Sequence, residues 1–241
     1  MSPAMESIHS PAHGITSELE TASFSDSPDV VECKALSEAV KPLEGVESLA
    51  GIRKLADVAL QNAKIRLKKH GDPNGLDQDQ IAVVQLLVKN RLGLYHCLND
   101  VLCRQERDER FFPLAALLSS ALRTLPKVRA RVYRGAPCLF TTGQRPRYEL
   151  DDEFYWWGVG SCARSRATIE NATPGSYRTV FVIDCQSAVC VDEYLPEAQS
   201  ASREEIWLLP GTKFHVTGVD TDARTGACTV HVEEVPALVH V

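Results

Sequence analysis

A change of hydrophobic period at Pro126 narrows the possible folds more than any other feature of this sequence. Before it, apolar residues recur at three- and four-residue steps; after it, they alternate with polar ones. From Glu47 onward, Leu49, Ile52, Leu55, Ala56 and Ala59 mark one face of a helix. That helix should stop near His70-Gly71, because DPNG follows. Asp77 is placed to cap a second helix carrying Ile81, Val84, Leu87 and Val88. Tyr95 to Gln105 and Phe112 to Leu125 read as two more. Beyond Pro126, residues 129–135, 153–161, 177–184, 205–210, 212–219 and 227–235 read as strands. The last two are joined by DTDARTG, a hairpin loop with Gly226 placed for positive φ. Helices first and strands afterwards predict an α+β fold. A helical lobe (46–126) precedes a mostly antiparallel β core of two packed sheets (127–241). Residues 1–45 are rich in Ser, Pro, Glu and Ala without sustained periodicity and read as a disordered tail.

The 241 residues suit one domain plus that tail, and a hydrophobic content of 44% is enough for a sizeable core. A net charge of −6 without a segregated basic patch argues against a nucleic-acid partner. The apolar runs, such as Ile206 to Leu209, are far too short for a membrane span. The N-terminus lacks a basic start followed by an apolar stretch, so no secretory signal is recognisable. The eight cysteines (Cys33, Cys97, Cys103, Cys138, Cys162, Cys185, Cys190 and Cys228) include no CxxC pair. A zinc site is therefore not expected, and reduced thiols are the default. Asn171-Ala172-Thr173 matches a glycosylation sequon, which is idle outside the secretory path. No heptad repeat argues for a dimer, and a monomer is expected.

Three stretches carry candidate chemistry. Tyr133-Arg134-Gly135 ends the first strand, and a guanidinium there offers a planar fork of donors suited to phosphate oxygens. Trp156-Trp157-Gly158-Val159-Gly160-Ser161 sets a small hydroxyl after two aromatics and two glycines, where backbone can approach a ligand closely. Glu204 and Glu205 stand directly before the apolar run Ile206 to Leu209. A carboxylate at such a strand edge can stabilise the positive charge that develops as a glycosidic bond breaks. An Arg, a Ser and a Glu on separate strands could clamp a dinucleotide and break its nicotinamide–ribose bond. The chain has no GxGxxG and no Walker sequence, so a nucleotide must be held some other way.

In order, VYRG, WWGVGSCA and REEIWLLPGTKFHV resemble the three signatures of the Arg-Ser-Glu mono-ADP-ribosyltransferases, most closely the ectoenzyme-like arginine-modifying members. The resemblance covers about residues 47 to 236, since LYHCLNDVLCRQERDERFFPLAALLSSALRTLP is similar to the helical lobe that precedes the first motif in that family. It implies that NAD is the co-substrate, that no metal is needed, and that a target protein supplies the acceptor side chain, arginine being one candidate. Arg134, with Gly135, would hold the phosphate and ribose region of NAD. Ser161 would order the nicotinamide-side ribose and the glutamate, and Trp157 would lie against the cofactor. Glu205 would be the catalytic glutamate, because the family's glutamate directly precedes the apolar strand. Arg203 and Glu204 would take the acceptor-orienting positions.

Two departures from the family pattern are visible. The family's Ser-Thr-Ser is Ser161-Cys162-Ala163 here, and Arg203 stands where arginine-modifying members carry Glu or Gln. Two alternatives share this resemblance: an NAD glycohydrolase, with water as acceptor, and an inactive binding module on the same fold. A cytoplasmic site is expected, or export or injection without a recognisable signal peptide.

Overall fold

A computed structural model of the chain describes residues 34–88, 93–104, 108–136, 141–142, 145–146, 148–172, 178–194 and 205–236. Internal contacts divide it after Leu125 into a helical unit and a β unit.

The helical unit contains α1 (Leu36–Ala39), α2 (Ile52–His70), α3 (Gln78–Val88), α4 (Leu94–Arg104) and α5 (Phe112–Thr124). Ile52, Ala56, Ala59 and Ala63 form the buried stripe of α2, and α2 packs on α3, which in turn packs on α5. Small residues along that stripe allow close helix approach. Gly71 ends α2 with φ of 66° and donates its N–H to the Leu67 carbonyl at 2.9 Å, a C-cap that favours glycine. Asp77 and Gln80 form a reciprocal capping box. The Asp77 carboxylate accepts from the Gln80 backbone at 2.8 Å, and the Gln80 amide oxygen accepts from the Asp77 backbone at 3.0 Å.

The expected tail ran to residue 45, but Leu36–Gly45 is packed into the helical unit. Leu36, Val40 and Leu43 are fully buried, and the Leu36 N–H donates to Asp79 Oδ1 at 2.7 Å. The segment folds as α1 and two short 3-10 turns, Lys41–Gly45 and Glu47–Leu49, so no run is long enough to show a helical period. Leu43→Ala is expected to lower stability by about 2–5 kcal/mol, as other buried Leu truncations do. Chemical denaturation reads this directly, and no change in midpoint would mean the turn adds nothing.

The β unit contains β1 (Lys127–Ala136), β2 (Thr141–Thr142), β3 (Arg145–Pro146), β4 (Glu153–Trp156), β5 (Gly160–Ala163), α6 (Arg166–Ala172), β6 (Thr179–Cys190), β7 (Glu205–Leu208), β8 (Thr212–Thr221) and β9 (Cys228–Glu234). Seven of these strands hydrogen-bond in the order β1-β5-β7-β6-β9-β8-β4, and β1 also pairs directly with β6. All the pairings are antiparallel except β6 with β9. The β5–β7 pair therefore bridges β1 to the far end of β6, where Val189 and Cys190 oppose Trp207 and Ile206. Cys162, Ile206 and Leu208 from this pair join Val132, Phe181, Ile183, Phe214, Val216 and Val232 from the longer strands in one core. Where two packed sheets were expected from sequence, these seven strands form one continuous hydrogen-bonded sheet, and among the described residues β2 pairs only with β3.

The single strand expected over 153–161 is two. β4 lies at the sheet edge against β8, whereas β5 pairs with β7 and β1. Trp157, Gly158 and Val159 form the connection, and alternation alone did not reveal it because the pattern continues through the glycines. Gly226 closes the β8–β9 hairpin with φ of 68°, and Asp222 Oδ1 accepts from the Arg224 and Thr225 backbones at 2.8 Å each.

Candidate active site

Strand register explains why three distant residues meet. Ser161 on β5 lies directly opposite Trp207 on β7, and Ala163 lies opposite Glu205. Residues 205 and 207 share a face of β7, so Ser161 and Glu205 are diagonal neighbours within side-chain reach. The Ser161 hydroxyl donates to Glu205 Oε1 at 2.8 Å. The Trp207 indole Nε1–H donates to the same oxygen at 2.9 Å. Glu205 is half-buried, and its backbone N–H donates to Asp192 Oδ1 at 2.8 Å. Asp192 opens the 3-10 turn that leaves β6, and Val191 N–H returns a bond to the Glu205 carbonyl at 3.3 Å. The strand edge is therefore tied down on both sides of the carboxylate.

Arg134 arrives from β1, where it is opposite Phe181 on β6. It is only 6% exposed, an expensive place for a cation that is not hydrogen-bonded. Its Nη1 donates to the Ser161 carbonyl at 3.0 Å, and its guanidinium carbon lies 5.1 Å from the centre of the Trp156 ring. The backbone of Ser161 thus meets Arg134 while its hydroxyl meets Glu205. Gly135 follows, buried and opposite Val180.

Trp156 is the tryptophan beside the guanidinium. Trp157, the one expected at the cofactor, stacks on Tyr155, with ring centres 5.1 Å apart and planes at 20°. Successive strand side chains point to opposite faces. Phe154 and Trp156 therefore turn toward Phe181 and Phe214, and Tyr155 turns away with Trp157. Arg203 and Glu204, the expected acceptor-orienting pair, lie outside the described residues.

Cys162, between Ser161 and Ala163, is buried in the core, and burial pushes its thiol up to about 12, against the opposing pull of the Arg134 charge. It is a packing residue with no thiolate at neutral pH. Gly160 on β5 lies opposite Leu208 on β7. A Cβ there would lie 2.9 Å from Leu208 Cδ1 and 3.0 Å from Leu208 Cβ. Gly160→Ala should therefore push the pair apart, cost about 1–3 kcal/mol and loosen the Ser161–Glu205 bond. Thermal denaturation of the variant checks the first effect, and unaltered stability would contradict it.

Sequence reasoning missed Trp207 and Asp192. The first was within reach, since residue i+2 on a strand shares the face of residue i. The second comes from a turn thirteen positions upstream and carries no local signal. Among the described residues, no group of three His, Cys, Asp or Glu is placed to hold a metal, and no helix is long and apolar enough to cross a membrane.

No family model matches the chain, and no curated protein matches it in sequence. Solved structures do. The type III effector XopAI from Xanthomonas axonopodis pv. citri is similar with a TM-score of 0.63 at 15% identity, over 83% of this chain and 81% of that one. The ADP-ribosyltransferase HopU1 of Pseudomonas syringae pv. tomato gives a TM-score of 0.59 at 19% identity, over 75% of this chain and 87% of that one. Exoenzyme S from Pseudomonas aeruginosa, solved with human 14-3-3 protein beta and bound to carba-NAD, gives 0.55 at 18%, over 76% and 88%. With helices preceding a mostly antiparallel seven-stranded sheet, this chain has the fold of the ADP-ribosyltransferases.

Proposed function

We propose that the chain is a mono-ADP-ribosyltransferase that cleaves NAD at the nicotinamide–ribose bond and transfers ADP-ribose to a protein side chain. One observation carries this reading: Arg134, Ser161 and Glu205, from three strands, are joined through Ser161 by bonds of 3.0 and 2.8 Å. A nearly buried guanidinium linked through Ser161 to a half-buried carboxylate suits a substrate with a diphosphate at one end and a developing cation at the other. Arg134 binds the phosphate and ribose region, where its planar fork matches paired oxygens. Glu205 accepts a hydrogen bond from the ribose 2′-hydroxyl and stabilises positive charge at the anomeric carbon as the glycosidic bond lengthens. The bonding electron pair leaves with nicotinamide. The acceptor then supplies the pair for the new bond to the anomeric carbon and gives up one proton.

The fold neighbours include an exoenzyme bound to carba-NAD and an ADP-ribosyltransferase, Vis, in complex with agmatine. The carba-NAD complex lends support to NAD as substrate. XopAI is a type III effector, which supports delivery into another cell as the setting for this activity.

The acceptor is the open half of the reaction, and Arg203 bears on it. A permanent cation at the position where arginine-modifying relatives carry an acid or amide repels an incoming guanidinium. Wild type is therefore expected to release much of its ADP-ribose to water, or to modify an acceptor other than arginine. Arg203→Glu is expected to raise the ratio of ADP-ribosyl-agmatine to free ADP-ribose. Efficient transfer to agmatine by wild type, with no gain in the variant, would move acceptor recognition to another residue, Glu204 first. With labelled NAD and a cell extract, label on protein supports the transferase. Free ADP-ribose alone would replace it with a glycohydrolase.

A further inference from the structure

The side chain that fills the centre of β7 is a tryptophan whose only polar atom is aimed at Glu205. Trp207 is 1% exposed, and its Nε1–H donates to Glu205 Oε1 at 2.9 Å. An indole N–H can donate but never accept, so the oxygen it faces must offer a lone pair. Ser161 donates to the same oxygen. Among the described residues, Glu205 Oε2 receives no hydrogen bond. The two carboxylate oxygens are thus unequal: one is held twice and the other is left for a ligand.

That inequality has a mechanical consequence. The terminal torsion of a glutamate is broad and roughly two-fold, so one hydrogen bond leaves the carboxylate free to swing. Two donors from different strands converging on one oxygen fix both its position and its plane. The spacing that achieves this belongs to the strand, because residues 205 and 207 share a face and Ser161 lies opposite the second. Leu or Ile at position 207 would be apolar enough for a buried strand and would leave Oε1 to Ser161 alone.

We infer that Trp207 is a positioning residue whose indole N–H, together with the Ser161 hydroxyl, holds Glu205 Oε1 and so presents Oε2 to the substrate. This rests on the reading of Glu205 as the catalytic carboxylate. Trp207→Phe removes the N–H and keeps an aromatic ring in the core. It is expected to lower kcat for nicotinamide release about tenfold or more, the effect of losing one hydrogen bond to a charged group, with NAD affinity unchanged. Val232→Ala is the control for a softened β unit, since Val232 is buried on β9 in the core of that unit and makes none of the hydrogen bonds described at the site; it should keep kcat below its melting temperature. A loss in Trp207→Phe no larger than in Val232→Ala would overturn the inference.

The bond can also be read without turnover. The indole proton–nitrogen resonance that Trp207→Phe removes from the NMR spectrum should move upfield in Glu205→Gln, where a neutral amide replaces the charged acceptor. A resonance indifferent to that change would overturn the inference. A resonance that moves, in a wild-type protein that never releases nicotinamide, would uphold the contact and overturn the enzymatic reading.

Discussion

Glu205→Gln is expected to reduce nicotinamide release by a factor on the order of 10²–10³, the loss seen when one preorganised electrostatic group is removed from a transition state. The carboxylate is half-buried at the start of β7, and its oxygen is already held by Ser161 and Trp207. An amide of the same size keeps the packing and can still accept those two bonds through its carbonyl. It cannot supply negative charge to the anomeric carbon. Melting temperature and NAD binding should therefore stay close to wild type while turnover collapses. Full activity in Glu205→Gln, together with a dead Glu204→Gln, would shift the catalytic position by one residue.

The second large effect is expected at Arg134. Arg134→Ala removes the cation, the bond to the Ser161 carbonyl and the contact with Trp156 together. NAD affinity should fall on the order of 10- to 100-fold, the weight of ~1.5–3 kcal/mol for hydrogen bonds to a charged group. Arg134→Lys keeps the charge, loses the planar fork and should bind with intermediate strength. Calorimetric titration with NAD orders the three proteins. Equal affinities across all three would place the phosphates elsewhere in the fold.

How much of this was legible in the sequence depends on which residues are considered. The period change at Pro126 was sufficient for the fold class, and the order of the motifs singled out Arg134, Ser161 and Glu205 before any geometry was known. Their convergence needed the register. Nothing in the sequence states that Ser161 faces Trp207, or that β1 runs alongside β6 and also meets β5.

Which tryptophan meets Arg134 was hidden for the same reason. Neighbouring residues on a strand face opposite sides, and only the pairing of β4 with β8 decides that Trp156 turns toward Arg134. Leu36, Val40 and Leu43 were assigned to the tail because their segment is a chain of short turns interrupted by Pro42, too brief to show a period. Asp192 stayed hidden for a different reason. A carboxylate that caps a backbone thirteen residues away is a product of the fold, with no pattern in the sequence around it.

The account stands on the cleavage of NAD by this one constellation. The direct measurement is nicotinamide released by the full chain at saturating NAD, compared with the sum of free and attached ADP-ribose. The account predicts steady release in equal amounts, lost in Glu205→Gln. NAD that binds the wild-type protein and remains intact would contradict it, leaving a dinucleotide-binding module on an ADP-ribosyltransferase fold.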